Sequence, residues 1–294
     1  MANLRDIRRR RKGAQNTRKI TKTMELVASS KLRKAQDAAL ASRPYAEGLR
    51  DLLAQLAGSG NSPSTHPLLR VRPVNTVAIM VATADRGLAG AFNANLVAAA
   101  LARMRVHQAR GRTVQFIALG KKAAGTLNFL GFPAVASYTG VVGATKYLQA
   151  EKIANETMER FLSGAVDLVE VVYARFVSAA KQVPEHYAML PAGAVAEGGA
   201  DTGAKPAGRS DPLYLPSGDE VLAAVVPLAV RTALFSALLQ TSAGEHAARR
   251  AAMKNATDAA SDMVKDLTRT YNRGRQGKIT QEIAEIVGAV EAMA

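Results

Sequence analysis

Both ends of this chain are written for long helices, and that limits the folds open to it. Between Met1 and Ala57 there is one proline, Pro44, and only Gly13 and Gly48 interrupt a run of good helix formers. Ala28, Leu32, Ala35 and Ala39 recur at i, i+4, i+7 and i+11, the spacing of one helix face. A helix over residues 1–57 would reach roughly 80 Å, too long to stand without a partner along its length. The other end repeats the pattern over residues 219–294, with Pro227 expected to kink the first turns. Val264, Leu267, Tyr271 and Gly274 mark one face, and Ile279, Ile283, Ile286 and Val290 repeat the spacing near the terminus. About 70 residues of helix there would span roughly 105 Å.

The middle reads differently. Asn75–Thr83, Thr113–Leu119, Ala134–Thr139 and Val166–Phe176 are short apolar runs of strand character. Helical stretches over Phe92–Gln108, from Lys121, and over Thr145–Leu162 separate them. Strands alternating with helices imply a mostly parallel α/β domain over residues 75–190. A linker rich in Gly, Ala and Pro occupies 191–218. Two helices that leave one globular insert can pair antiparallel through a seam of small residues, the C-terminal one projecting past its partner.

Composition narrows the function. The formal net charge is +15, which points to an acidic partner. The first fifty residues carry fourteen Lys and Arg against four Asp and Glu, an excess of ten. No aromatic residue precedes Tyr45, so this basic run offers no platform for stacking bases. The absence of cysteine excludes disulfides and thiolate chemistry, and the four histidines lack metal-ligand spacing. No unbroken run of about 18 apolar residues occurs, so no bilayer span is expected.

The loop Ala84–Asn93, ADRGLAGAFN, follows a strand and precedes a helix, where glycine-rich loops can cradle phosphate. The dinucleotide pattern fails because Asp85 stands at its first glycine. The phosphate-loop pattern fails at Gly120-Lys121, with Gln115 and Lys122 in place of its first glycine and last hydroxyl. The glycines therefore read as serving a tight turn and close packing. Glu282 and Glu285, at i and i+3, read as a solvated pair rather than an acid–base couple. The apolar terminus, in contrast, suggests insertion into another protein's bore.

QNTRKITKTMELVASSKLRKAQ (Gln15–Gln36), ASRPYAE (Ala41–Glu47), the loop ADRGLAGAFN, and Ala248–Val287 together closely resemble the gamma subunit of F-type ATP synthases. The resemblance implies a Rossmann-like α/β domain inserted between two long terminal helices that form an antiparallel coiled coil. It implies a non-catalytic central-stalk rotor with no cofactor, coupling ion flow in the membrane sector to ATP chemistry in the neighbouring subunits. The partners it implies are the alpha, beta and epsilon subunits and the membrane c-ring. No nucleic acid or direct bilayer insertion is expected. The expected place is the cytoplasmic face of a bacterial inner membrane, or the matrix side of a mitochondrial one.

Residues matched to the family's coupling region are Met24, Arg249, Gln276, Thr280 and Glu282. Lys31, Arg33 and Lys34 are candidate contacts to acidic partner surfaces. Tyr214 and Leu215 are candidate membrane-ring contacts, Leu215 standing where other members place an acidic residue. Two alternatives stay open at this point: a basic nucleic-acid-binding protein, favoured by salt-dependent DNA binding, and a nucleotide-using α/β enzyme, favoured by saturable nucleotide binding.

Overall fold

A computed structural model describes residues 4–58, 66–143, 145–193 and 218–293. Its elements follow the expected order. Helix α1 spans Leu4–Gly58, strand β1 Thr76–Ala82, α2 Phe92–Gln108, β2 Thr113–Leu119, α3 Lys121–Phe129, β3 Ala136–Tyr138, α4 Tyr147–Leu162, β4 Leu168–Phe176, β5 Gln182–Leu190 and α5 Gly218–Glu291. Most of the linker expected over 191–218 lies outside the described residues.

Packing divides the chain into two units: Met1–Ala28 with Arg249–Ala294, and Ser29–Ala248. Each terminal helix is continuous, but residues 29–58 of α1 and 218–248 of α5 pack within the globular unit.

That globular unit is a five-stranded sheet in the order β3-β2-β1-β4-β5. The first four strands are parallel, and β5 returns antiparallel to β4. Strand alternation sends Val77, Ile79 and Val81 to one face, against Leu96, Ala100 and Met104 of α2 and Leu127 of α3. Ala78, Met80 and Ala82 go to the other face, against Ile153 and Phe161 of α4, Leu234 and Leu238 of α5, and Leu49 and Leu53 of α1. The result is a sheet covered on both sides, as parallel strands require.

Strand β5 is not signalled by the sequence, because Pro184 interrupts its pattern. Proline cannot donate to a sheet ladder, and β5 solves this by lying at the edge of the sheet.

The apolar stretch 221–238 of α5 carries one ionised residue, Arg231, and by length and composition alone it could cross a bilayer. In the fold it is buried or half-buried at every position except Ala223 and Ala224. Arg231 donates to Asn155 at 2.8 Å and pairs with Glu151 at 3.4 Å, both on α4. Its hydrophobicity belongs to the core of the globular unit.

Candidate subunit-contact surface

In the two-helix unit, three contacts fix how α1 and α5 run. Thr257 Oγ1 lies 2.8 Å from Thr21 Oγ1. The Arg11 guanidinium sits 5.0 Å from the centre of the Tyr271 ring. A Cβ on Gly274 would fall 3.1 Å from Leu4 Cδ2, so the absent side chain lets Leu4 pack close to the opposite backbone. Residue numbers fall on one helix as they rise on the other, which makes the pair antiparallel.

The seam explains the pairing. Ile7, Ala14, Thr21 and Ala28 are buried at a strict seven-residue spacing. Across from them, Met253, Thr257 and Ala260 are buried, and Val264, Leu267 and Tyr271 are half-buried, at heptad spacing. The threonine pair is satisfied within this apolar seam. Thr257 Oγ1 is also 2.8 Å from the Met253 carbonyl, and Thr21 Oγ1 is 3.2 Å from that of Arg18. Whichever hydroxyl bridges the helices, the other donates to its own helix.

Four of the five residues matched to the family's coupling region lie on the outside of this unit. Met24 is 38% exposed, and Ile20 and Val27, on the same face, are more so. This apolar face is therefore not part of the seam. Arg249 is half-buried, whereas Gln276, Thr280 and Glu282 are fully outside. Thr280 Oγ1 donates to the Gln276 carbonyl one turn back (3.0 Å), and Glu282 pairs with Lys278 at 3.6 Å. Glu285 accepts from Gln281 at 2.9 Å, so the two carboxylates at i and i+3 are each engaged along the helix surface rather than with one another.

Beyond Gly274, α5 runs without a described helix beside it. Every residue from Asn272 to Val290 is exposed. Ile279, Ile283, Ile286 and Val290 form an uncovered stripe, Ile286 and Val290 each 64% exposed. The tip expected from the sequence is thus present, and its apolar residues are left uncovered by the described residues of its own unit.

The remaining candidates lie elsewhere. Lys31, Arg33 and Lys34 belong to the globular unit and are exposed on α1. Tyr214 and Leu215 lie outside the described residues.

The loop between β1 and α2 shows why the phosphate motifs fail. Helix α3 leaves its first amides without helical partners, as every helix does, and here the chain itself fills them. The amide of Gly120 donates to the Tyr138 carbonyl (2.7 Å), that of Lys121 to Asp85 Oδ1 (3.0 Å), that of Lys122 to the Ala84 carbonyl (3.2 Å) and that of Ala123 to Thr83 Oγ1 (2.8 Å). Gly120 has φ of 111°, and a Cβ there would fall 2.2 Å from the Thr83 carbonyl oxygen. The glycine therefore serves close packing, in line with the motif reading.

Comparison with known proteins agrees with this arrangement. The sequence model of the family described as ATP synthase matches residues 3–293. The ATP synthase gamma chain of Gemmatimonas aurantiaca is 41% identical over all of this chain and 99% of its own length. That of Nitratidesulfovibrio vulgaris is 39% identical with the same coverage. The chain belongs to the ATP synthase gamma-chain family. A chain of the mitochondrial ATP synthase of Euglena gracilis has the same fold, with a TM-score of 0.64 at 21% identity over 99% of this chain and 94% of that one. A gamma chain is a central-stalk subunit of the synthase and not its catalytic one, so the two outward faces of the helical unit are the places to look for function.

Proposed function

We propose that the two-helix unit is the part of this gamma-chain family member that enters the ring of alpha and beta subunits, and that its turning couples ion flow to ATP synthesis or hydrolysis there. The observation that supports this reading is the bare tip of α5. A stripe of four branched apolar residues on an unaccompanied helix gains stability only by burial against another surface. A helical shaft with unlike faces presents each surrounding subunit with a different contact. Rotation then shifts each subunit between states of different nucleotide affinity through those contacts.

Met24, Arg249, Gln276, Thr280 and Glu282 are the coupling contacts in this proposal, and Lys31, Arg33 and Lys34 meet acidic partner surfaces. The α/β unit meets the epsilon subunit and the membrane c-ring, with Tyr214 and Leu215 at the ring. The chain would then work at the cytoplasmic face of a bacterial inner membrane, or on the matrix side of a mitochondrial one, held there by its partners.

The test uses the complete complex in vesicles with Ile283→Asn and Ile286→Asn together. Because both side chains are exposed in the chain alone, its melting should hardly change. Ions pumped per ATP hydrolysed should fall. An unchanged ratio would remove the tip from the coupling surface.

A further inference from the structure

Asp85 is a carboxylate set where a fold of this kind elsewhere holds a ligand's anion. Its Oδ1 accepts the Lys121 amide at 3.0 Å, in the first turn of α3, and its Oδ2 accepts the Gly140 amide at 2.9 Å, just after β3. Asp85 itself follows β1. One side chain therefore joins the loops at the C-terminal ends of β1, β2 and β3. In parallel α/β sheets this is the end where phosphates and carboxylates of ligands are bound, on amides at the start of a helix. Lys121 and Lys122 are both exposed here, and the Lys122 ammonium lies 3.8 Å from where a Gly87 Cβ would be, folded over the same loop. The setting is that of an anion cradle, and the anion in it is part of the chain.

We propose that Asp85 is a permanent intramolecular anion that takes the place of a bound phosphate, closing this end of the sheet to phosphoryl ligands and tying its three loops together. This goes beyond the rotor reading and does not depend on it. The geometry is specific: two amides from different loops converge on the two oxygens of one carboxylate, a charge-assisted arrangement that water would fill less rigidly. The other early amides of α3 are already occupied by backbone carbonyls and the neutral Thr83 hydroxyl, so Asp85 is the charged member of the cradle among the described residues.

The test compares the full-length chain with Asp85→Ala and Asp85→Asn, melted over a series of phosphate concentrations at constant ionic strength. Phosphate raises the stability of proteins generally, so the parent's own rise is subtracted. Both variants should melt below the parent. Asp85→Ala should then recover with phosphate in a saturable way, and with formate, because the vacated place accepts an anion. Asp85→Asn should not recover, since its amide still fills the space and turns a donor toward one of the two N–H groups. Replacing Lys121 and Lys122 by Gln in the Asp85→Ala chain should shift the recovery to higher phosphate. If Asp85→Ala does not fold without an anion, refolding yield with and without phosphate becomes the readout. Melting equal to the parent's, a phosphate response parallel to the parent's, or equal refolding failure with and without phosphate would each overturn the proposal.

Discussion

Glu170→Gln should weaken the globular unit sharply while leaving its contact surfaces untouched. The Glu170 side chain is 6% exposed and receives Arg103 through Nε to Oε2 at 2.9 Å and Nη2 to Oε1 at 2.6 Å. His107 Nε2 adds a third contact at 3.1 Å. Arg112 Nη1 faces His107 Nδ1 at 3.2 Å and Arg103 Nη2 lies 3.4 Å from Nε2, but the Glu170 carboxylate only accepts, so Nε2 is the nitrogen that donates to it. Gln keeps the shape but offers one oxygen where two were used and turns an NH2 group toward donors. Breaking a buried pair costs about 3–5 kcal/mol. Arg103 is 24% exposed and water can reach it, which lowers the expected loss to about 2–3 kcal/mol. For a chain of this size that is a fall of roughly 5–10 °C in Tm.

The pH dependence carries a sign. Burial alone would raise the Glu170 carboxyl, but the bonds from Arg103 and His107 outweigh it and hold the group below its usual value of 4.5. The unfolded chain therefore takes up the proton more readily. The pair's contribution is fully present above the unfolded value and is lost as pH falls through the lower folded one. Thermal melts followed by circular dichroism should show the full gap between parent and variant at pH 7, closing below about pH 4.5. A gap below about 1 °C at pH 7, given the expected scale, or one that persists unchanged into acid, would refute this reasoning.

Other expectations concern the helical unit and its partners. In a double-mutant cycle with Thr21→Val and Thr257→Val, the coupling should be about 0.5–1.5 kcal/mol, since each single change removes the bridge without stranding the other hydroxyl; additive losses in denaturant melts would deny the bridge. Neutralising Lys31, Arg33 and Lys34 together should slow assembly with the partner subunits and flatten its dependence on ionic strength, and stopped-flow assembly rates that ignore both salt and substitution would count against acidic partners. The pure chain should show no ATP binding by calorimetry, because the amides at the start of α3 are already taken; saturable micromolar binding would sink that expectation.

Much of this architecture was legible from hydrophobic spacing. The faces Ala28–Leu32–Ala35–Ala39 and Val264–Leu267–Tyr271 do point inward, and four strands with their helices stand where alternation places them. What spacing could not show were features that depend on a partner distant in sequence. Strand β5 hides behind Pro184, tolerated because no described strand pairs beyond it. His107 reads as a lone histidine until β4 brings Glu170 against α2. Thr21 and Thr257 read as ordinary polar positions, although the seven-residue step Ile7, Ala14, Thr21, Ala28 was a signal that the inner face continues through the threonine. Asp85 appeared as a defect in a glycine motif, and the fold shows it as the motif's replacement. The coupling candidates came from family resemblance, and the sequence alone could not say that the Met24 face lies outside the seam.

The bare tip of α5 also limits how the gene can change length. Within the helical unit, the seam residues Val264, Leu267 and Tyr271 and the stripe Ile279, Ile283, Ile286 and Val290 share one uninterrupted helix. Adding one residue between Tyr271 and Ile279 would turn the stripe by about 100° relative to the seam and advance it about 1.5 Å. Seven added residues would restore the facing to within about 20° but lengthen the tip by about 10 Å. Insertions and deletions in this segment therefore exchange direction for reach, and no small one preserves both. A substitution at Ile283 can be compensated by its neighbours; a frame-preserving codon insertion just before Ile279 re-aims the whole stripe at once.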